Sequence, residues 1–424
     1  MPAEPVQSFW AHSTPARQSG AALDGSIETD IAIIGGGLTG LSAALHLAQS
    51  GRRVALIEAK SIGWGGSGRS NGQVIPTLAA MEPAAMLARW GETGERFAQM
   101  VRDSADTLFS LVKTHGLACD ARQNGWFQPA HTPEFLRLSD SRVKAWQKLG
   151  APARLLNKAE GDALLGSTHW FGGLFHPEGG HINPLKLSQE LARLCAKHGV
   201  QIFEQTPATS IARHTGQWHI TTPRGAIKAD ALLLATNAYT GPLAPQIGRS
   251  IVPLTAWQLA TEPLDAPSVI PGGQAISDTR GDLWYFRPTV DGRLVTGAAL
   301  LFKQRAEPRL KALLAKRLQT AFPQLGPLNF SHVWGGFVGI TADFTPRFHE
   351  LGPHYYAFTG YNGRGLALAL SVGREFARKI NGETCALPFE APRPIALHGF
   401  VRRVARSRLI LTRLKDKKPP KVTP

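Results

Sequence analysis

One stretch constrains this chain more than any other, because it dictates a strand, a turn and a helix in immediate succession. Asp30-Ile31-Ala32-Ile33-Ile34 runs into Gly35-Gly36-Gly37-Leu38-Thr39-Gly40. The apolar run is continuous rather than alternating, as in a strand covered on both faces. Behind the glycines, Leu41, Leu45 and Ala48 recur at helical spacing until Gly51, where a left-handed cap costs little. Arg53 to Glu58 then reads as a second buried strand, completing a strand-helix-strand unit. In that context the pattern Gly-x-Gly-x-x-Gly has a mechanical meaning: Gly35 permits the sharp turn, Gly37 admits a pyrophosphate to the backbone, and Gly40 lets helix and strand approach. The helix start at Leu38 and Thr39 presents unpaired N–H groups and a positive dipole to the phosphates. Glu58, followed by Ala59 and Lys60, ends the second strand where a carboxylate accepts from ribose hydroxyls and disfavours a 2′-phosphate. A dinucleotide site follows, although these residues alone do not choose between FAD and NAD.

At 424 residues the chain exceeds what one hydrophobic core fills, so two interlocked domains are expected. Its net charge of +16 raises the question of an anionic partner. From Val401 onward nine Lys and Arg residues stand against Asp416 alone, so half of the excess belongs to a tail. No recognition motif accompanies that charge, and no nucleic-acid partner is expected. Phe400, Val401, Val404, Leu409, Ile410, Leu411 and Leu414 interleave with the arginines. The tail therefore has two readings: a weak membrane-surface contact through an amphipathic helix, or a solvated helix followed by a frayed end. Cys119, Cys195 and Cys385 lie far apart without a CxxC pair, which argues against a disulfide framework or a metal site. Met1 to Gly25 lacks the apolar core of a secretory signal, and no run reaches the roughly 18 apolar residues of a membrane span. A cytoplasmic location is expected.

Along the rest of the chain, Ser61 to Gln73 is a Gly/Ser-rich functional loop. Helical patterns occupy Pro83 to His115, Thr132 to Leu149 and Pro184 to His198. Strand patterns follow at Val200 to Phe203, Ser210 to Ala212, Trp218 to Thr222 and Ala229 to Ala235. Between Ile251 and Ala299 the signals are mainly β, with Asp291-Gly292 as a hairpin turn. A helix near Pro308 to Ala321 and a strand at Tyr355 to Thr359 lead to a second glycine cluster, which opens a helix at Gly365 to Ile380. The expected fold is α/β: a Rossmann-like dinucleotide domain interlocked with an α+β substrate domain built on an antiparallel sheet. Cofactor segments are expected at 27–80, 181–248 and 331–390, helical and substrate segments at 81–180 and 249–330, and a basic tail at 391–424.

The loop Gly63-Trp64-Gly65-Gly66-Ser67-Gly68-Arg69-Ser70-Asn71-Gly72-Gln73 resembles that of the D-amino-acid oxidase-like flavoproteins, most closely their gamma-glutamylputrescine oxidase branch. The resemblance implies FAD, with Gly68, Arg69, Ser70, Asn71, Gly72 and Gln73 wrapping the pyrophosphate and reaching the flavin ring. Three further stretches match in order. Gly180 to Lys186 is similar to the segment before the adenine-side strand, whose counterpart here includes Ala208; Ala235-Thr236-Asn237 is similar to the strand end that closes over the dinucleotide. Gly360-Tyr361-Asn362-Gly363-Arg364-Gly365-Leu366 is similar to a turn that faces the flavin pyrimidine. Backbone N–H groups at such a helix start stabilise negative charge on reduced flavin, and Arg364 is placed to reinforce them.

The implied chemistry is oxidation of a C–N bond in a small amine or amino-acid-like substrate, such as a gamma-glutamylated polyamine or an N-substituted amino acid. Hydride passes to flavin N5, the imine hydrolyses, and oxygen or another acceptor reoxidises the flavin. Tyr285 is the expected pocket residue, with Trp257, Trp284 and Trp334 as further pocket candidates, although strand alternation sends about half of such aromatics into a core. His181 has a suitable intrinsic pKa for a proton acceptor, against the plainer reading of a turn histidine bonded to backbone. Relatives of the monomeric sarcosine oxidase type attach flavin through a cysteine near the last glycine motif; none lies there, so FAD is expected to be noncovalent. The lysine those relatives use toward oxygen has no counterpart from Gln274 to Leu300, and Lys303 falls just outside. The alternatives are an NAD-dependent dehydrogenase on the same fold and a nonenzymatic flavin-binding protein recruited to membranes by its tail.

Overall fold

The computed structural model describes residues 8–299 and 305–404. The expected buried strand is present as Gly25–Ile34 and lies at the centre of a sheet whose order is 347–352, 355–359, 225–234, 25–34, 54–57, 201–203. Its neighbours Gly225–Leu234 and Val54–Ile57 both run parallel to it. The continuous apolar pattern has a direct cause. Ile31, Ile33, Val54, Leu56 and Leu233 enter one core beneath the helices Leu38–Gln49 and Gly365–Ile380, while Ala32, Ile34, Ala55, Ile57 and Leu232 enter another on the opposite face. A strand buried on both sides has no polar face to alternate with.

A second sheet of eight strands is antiparallel except where Ala275–Ser277 meets Trp126–Pro129. Residues alternate between its faces. Leu259, Ile276, Trp284, Phe286 and Phe127 pack with Leu310, Leu314 and Leu318 of the helix Ala306–Ala321. The opposite, inner face carries Gln258, Tyr285, Arg287 and Trp126, whose contacts lead toward the first sheet. The chain crosses between the sheets several times, so the two domains are interlocked.

Two local readings differ from the structure. The helical stretch expected from Pro83 to His115 is divided into Pro83–Trp90, Glu92–Arg102 and Ser104–His115. Its first break is at Gly91, φ 55°, a left-handed backbone that stops helix propagation. The strand Phe330–Ile340 pairs along its length with Val252–Thr261, so the antiparallel sheet extends into the stretch expected to begin the last cofactor segment. Arg402 and Arg403 of the basic tail sit on a short helix, His398–Val404, while 405–424, with most of the expected amphipathic pattern, and Lys303 fall outside the described residues. Among the described residues, no helix is long and apolar enough to cross a membrane.

His176 ends the strand Gly173–His176 with no exposed surface and no partner on either ring nitrogen. Burial pulls its pKa down to about 4. An unfolded histidine takes up a proton near pH 6.5, so the folded state loses stability as pH falls from about 6.5 toward 4. Replacing His176 by Phe keeps a ring and removes the titration. Urea melts at pH 7 and pH 5 should then differ less in the variant than in the parent, by about 2 kcal/mol; identical pH dependence in the two proteins would contradict this account.

Candidate active site

The first glycine turn is built by close approach. Gly35 has φ 117°, and a Cβ there would stand 2.8 Å from Ala235 O; a Cβ on Gly40 would stand 2.1 Å from Gly35 O. Any larger side chain would separate the helix from the strands. Gly37 caps the helix without a side-chain hydrogen bond, and Ser67 Oγ accepts from Leu38 N at 3.0 Å across its start. Glu58 accepts from Gly36 N at 2.8 Å and from Lys60 N at 2.9 Å. Burial raises its pKa, helped by the nearby Glu204 carboxylate. Two N–H donors leave lone pairs on that carboxylate for hydroxyl groups. Ala59 is exposed beside it, and Ala208 packs on the outer core of the parallel sheet.

The loop after the second strand is held by its carbonyls. Trp334 Nε1 donates to Arg69 O at 2.9 Å, Trp10 Nε1 to Ser70 O at 2.8 Å, and Arg287 Nε to Asn71 O at 2.7 Å. Three consecutive peptide oxygens are thus drawn away by donors from the antiparallel sheet and from the N-terminal helix Phe9–Ser13. Arg287 also donates to Ile182 O at 2.6 Å and lies over the Trp10 ring. The side chains of Asn71 and Gln73 turn to the same sheet: Asn71 Nδ2 donates to Gln258 Oε1 at 3.1 Å, and Gln73 Nε2 to Ile276 O at 2.8 Å. Arg69 donates to Trp64 O and Gly335 O. Gly68 packs against Gly63 O, and Gly72, φ 86°, against Ile182 O. Ser70 Oγ and Asn71 Oδ1 are buried without a protein partner.

The second glycine turn meets the first. Tyr361 OH and Thr39 Oγ1 are 2.8 Å apart, and Ser42 Oγ donates to Leu370 O at 2.7 Å. Asn237 Oδ1 accepts from Gly360 N at 3.0 Å, tying the end of the 225–234 strand to this turn, while Thr236 bonds Thr240. Asn362 Oδ1 accepts from Thr341 N at 2.9 Å. Its φ of 52° and that of Gly363, 81°, turn the chain into the helix begun by Gly365 and by Leu366, whose side chain enters the core. Arg364, expected to reinforce the flavin end, sends its guanidinium elsewhere, over the Trp126 ring at 4.8 Å and toward Thr77 Oγ1 at 3.5 Å.

Of the aromatic pocket candidates, Trp334, which pairs with Gln258, shares the inner face of the antiparallel sheet with Tyr285. Its hydroxyl accepts from Gln258 Nε2 at 2.8 Å and donates to Trp257 O at 3.4 Å, which links it through Gln258 to Asn71. Burial raises its pKa. Trp284 is instead a core residue, 1% exposed and stacked on Trp170 at 5.6 Å. Trp257 packs against the same core, and Trp334 holds Arg69 O. Alternation explains the first two: one residue along the strand from an inner-face position, a side chain points to the helix-covered face. His181 is corrected as a proton acceptor. Its Nε2 lies 2.9 Å from Gly273 O, which can only accept, so Nδ1 is left to receive from Arg287 Nη1 at 3.2 Å. Burial brings its pKa down to about 3. Both nitrogens are engaged within the protein, and the ring orients Arg287.

Among the functional residues, sequence reasoning missed Trp10, Arg287, Gln258, Ser67 and Glu204. Buried Glu204 pairs with Arg17 and accepts from Ile62 N, anchoring both the N-terminal arm and the glycine loop. Strand alternation from Tyr285 gave a signal for Arg287; nothing local marked Trp10.

A parallel sheet, two helix starts meeting at its edge and an antiparallel sheet facing them frame the candidate site. Residues 30–379 match the profile of the DAO family, described as FAD dependent oxidoreductase, and the chain belongs to that family. It is 32% identical over 391 residues to the probable oxidoreductase OrdL of Rhizobium meliloti, covering 91% of each chain. It is 28% identical over 387 residues to gamma-glutamylputrescine oxidoreductase of Escherichia coli, covering 90% of each. Its fold matches the crystal structure of glycine oxidase from Geobacillus kaustophilus with a TM-score of 0.73 at 20% identity, covering 85% of this chain and 96% of that one. The enzyme uses FAD. The protein fits that group on its own terms: two helix starts offer N–H groups to anionic atoms, a desolvated carboxylate stands at the strand end, and Ser70 and Asn71 carry buried oxygens without partners.

Two substitutions test the site. A Cβ on Gly37 would lie 2.8 Å from Ser67 Oγ, so Gly37→Val should purify folded by circular dichroism but without flavin absorbance; full cofactor content would move the site elsewhere. Trp10→Phe removes one donor to Ser70 O. Titration of apoprotein with FAD should show binding weakened by about fivefold, the weight of one neutral hydrogen bond; unaltered affinity would sever the N-terminal helix from the cofactor.

Proposed function

We propose that this enzyme oxidises the C–N bond of a small amine or amino-acid-like substrate, with FAD held noncovalently. The observation that carries the reading is that the second glycine turn and the inner face of the antiparallel sheet face each other, joined where the Arg364 guanidinium lies over the Trp126 ring. Tyr285 and Arg364 are each partly accessible yet strongly desolvated. Gly35, Gly37, Leu38, Thr39 and Gly40 would hold the pyrophosphate, Glu58 the ribose, the loop 68–73 and the turn 360–366 the flavin, with Ala59, Lys60, Ala208 and 235–237 bordering the nucleotide. FAD, when bound, supplies the acceptance of a hydride from the carbon next to nitrogen.

The protein's contribution is binding, orientation and desolvation. A low-dielectric recess favours the neutral amine over the ammonium, which the oxidation requires. Tyr285 keeps its proton because burial raises its pKa, and its ring, seated where Gly297 leaves space, excludes water. The hydroxyl then orients a polar group of the substrate, while His181 acts at a distance by fixing Arg287 and the loop it holds. Cys119 and Cys195 are buried with thiol pKa values pushed up to about 12, which suits a noncovalent cofactor and a cytoplasmic setting. The names of the relatives support substrates in the range of gamma-glutamylputrescine and N-substituted amino acids, with oxygen or another acceptor completing the cycle.

Anaerobic addition of such amines to the yellow holoenzyme should bleach its flavin. If none of a broad amine panel does so while dithionite does, the reading fails. Tyr285→Phe should retain flavin and lower kcat/KM by about tenfold; a wild-type value would remove the hydroxyl from the substrate site.

A further inference from the structure

The arm that precedes the first strand is fastened to both sheets. Phe9 and Trp10, each 2% exposed, enter a small core with Ala260, Val295 and Trp334. Trp10 Nε1 holds Ser70 O, and the Arg287 guanidinium, which holds Asn71 O, lies over the Trp10 ring. Further along, Asn183 Nδ2 meets Ser13 Oγ at 3.4 Å, and Arg17 pairs with buried Glu204. The helix Phe9–Ser13 therefore bears on two of the three carbonyls by which the glycine loop is held.

The same helix faces the antiparallel sheet with a pair of histidines. His12, which is exposed, and His332, which is half-buried, have ring centroids 5.1 Å apart, and the His332 ring also meets Phe9 edge-on at 5.7 Å. The charged groups that act on His332 are His12 from the helix, and Arg293 and Asp291 from the neighbouring hairpin. Arg293 lies over the Phe9 ring and donates to Asp291 at 2.8 Å, so that carboxylate is already committed. On the neighbouring helix Pro184–Lys197, Lys186 is paired with Asp120. Protons on both imidazoles would gather three cations around one carboxylate, and such charges repel, less strongly where water and salt reach them. Burial first, then His12 and Arg293, hold the His332 ring below the usual histidine range. Departure of the helix removes Phe9 and His12 from the ring, so the free arm leaves His332 easier to protonate, and acid favours departure as pH falls below about 6.5.

We propose that the N-terminal arm is an acid-sensitive latch on the cofactor: seated at neutral pH, it lets go when His12 and His332 are both protonated, whereupon Ser70 O loses its indole donor and FAD is held less tightly. His332 acts through the helix and Trp10, and is a positioning residue for the glycine loop. FAD alone is needed for the latch to have a consequence; the identity of the substrate does not enter.

The test follows FAD release from diluted holoenzyme, as the rise in free-flavin fluorescence, at pH 7.5 and pH 5.5. Hydrogen exchange of the amides of residues 8–14, corrected for intrinsic rate, reads the latch itself. In the parent the Kd for FAD should rise about fivefold at the lower pH, the weight of the Trp10 donor, and exchange of 8–14 should quicken with it. His332→Gln cannot take up the proton; it should match the parent at pH 7.5 and change by about twofold or less at pH 5.5. His176→Phe, which alters acid stability elsewhere, should keep the full change. Equal FAD affinity of the parent at the two pH values, or a parent-like response in His332→Gln, would overturn the proposal. Weaker FAD binding at pH 5.5 with residues 8–14 still protected would also overturn it, by placing the loss elsewhere in the cofactor site. Should His332→Gln fail to fold, His12→Asn decides by the same criterion.

Discussion

The contact on which the rest of the structure depends is the one between two helices far apart in sequence, Leu38–Gln49 and Gly365–Ile380. At Gly373 a Cβ would lie 2.5 Å from Ala43 N, so only glycine lets the two backbones approach this closely. Ser42 Oγ bonded to Leu370 O fixes their axial position, and Thr39 bonded to Tyr361 brings their first turns together. Each start carries a partial positive charge from its aligned peptides. Placed side by side, they make one region of the molecule favourable for an extended anion, and every other functional element is arranged around it.

The antiparallel sheet serves that region twice. Its inner face supplies donors, Trp334 and Arg287, that with Trp10 draw three successive carbonyls of the glycine loop outward. The same face supplies Gln258, Tyr285 and Trp126, which form the wall opposite the second turn. Bonding the loop through its backbone oxygens is economical of side chains: Ser70 and Asn71 keep buried oxygens for other partners. Polar groups in such surroundings are satisfied or matched to a ligand, because leaving them unpaired in a low dielectric is costly.

How far this was legible in the sequence follows from the range of each interaction. The cofactor fold was legible because its pattern is local: the apolar run, the glycines and Glu58 lie within 30 residues, and Ile31–Ile34 and Val54–Ile57 are buried on both faces. The helix at 365–380 and the strand at 355–359 were legible for the same reason. Aromatic character singled out Tyr285, which lies on the inner face, together with Trp284 and Trp257, which do not, since composition does not tell which face of a strand is inward. Trp10 to Ser70 O spans 60 residues, Arg287 to Asn71 O 216, and Trp334 to Arg69 O 265. Such pairs are set by how the two sheets dock. The direction of Arg364 is likewise a tertiary outcome: its place in a glycine turn suggested the flavin, whereas its guanidinium lies over Trp126 of the antiparallel sheet.

The clasp on the glycine loop also bears on biosynthesis. Trp10 emerges from the ribosome 60 residues ahead of its target Ser70, but Arg287, Trp334 and Tyr361 are made much later. A nascent chain can form the early strands and helix yet has neither the far wall nor the second anion-attracting end. Capture of the prosthetic group therefore waits until the second glycine turn has been made.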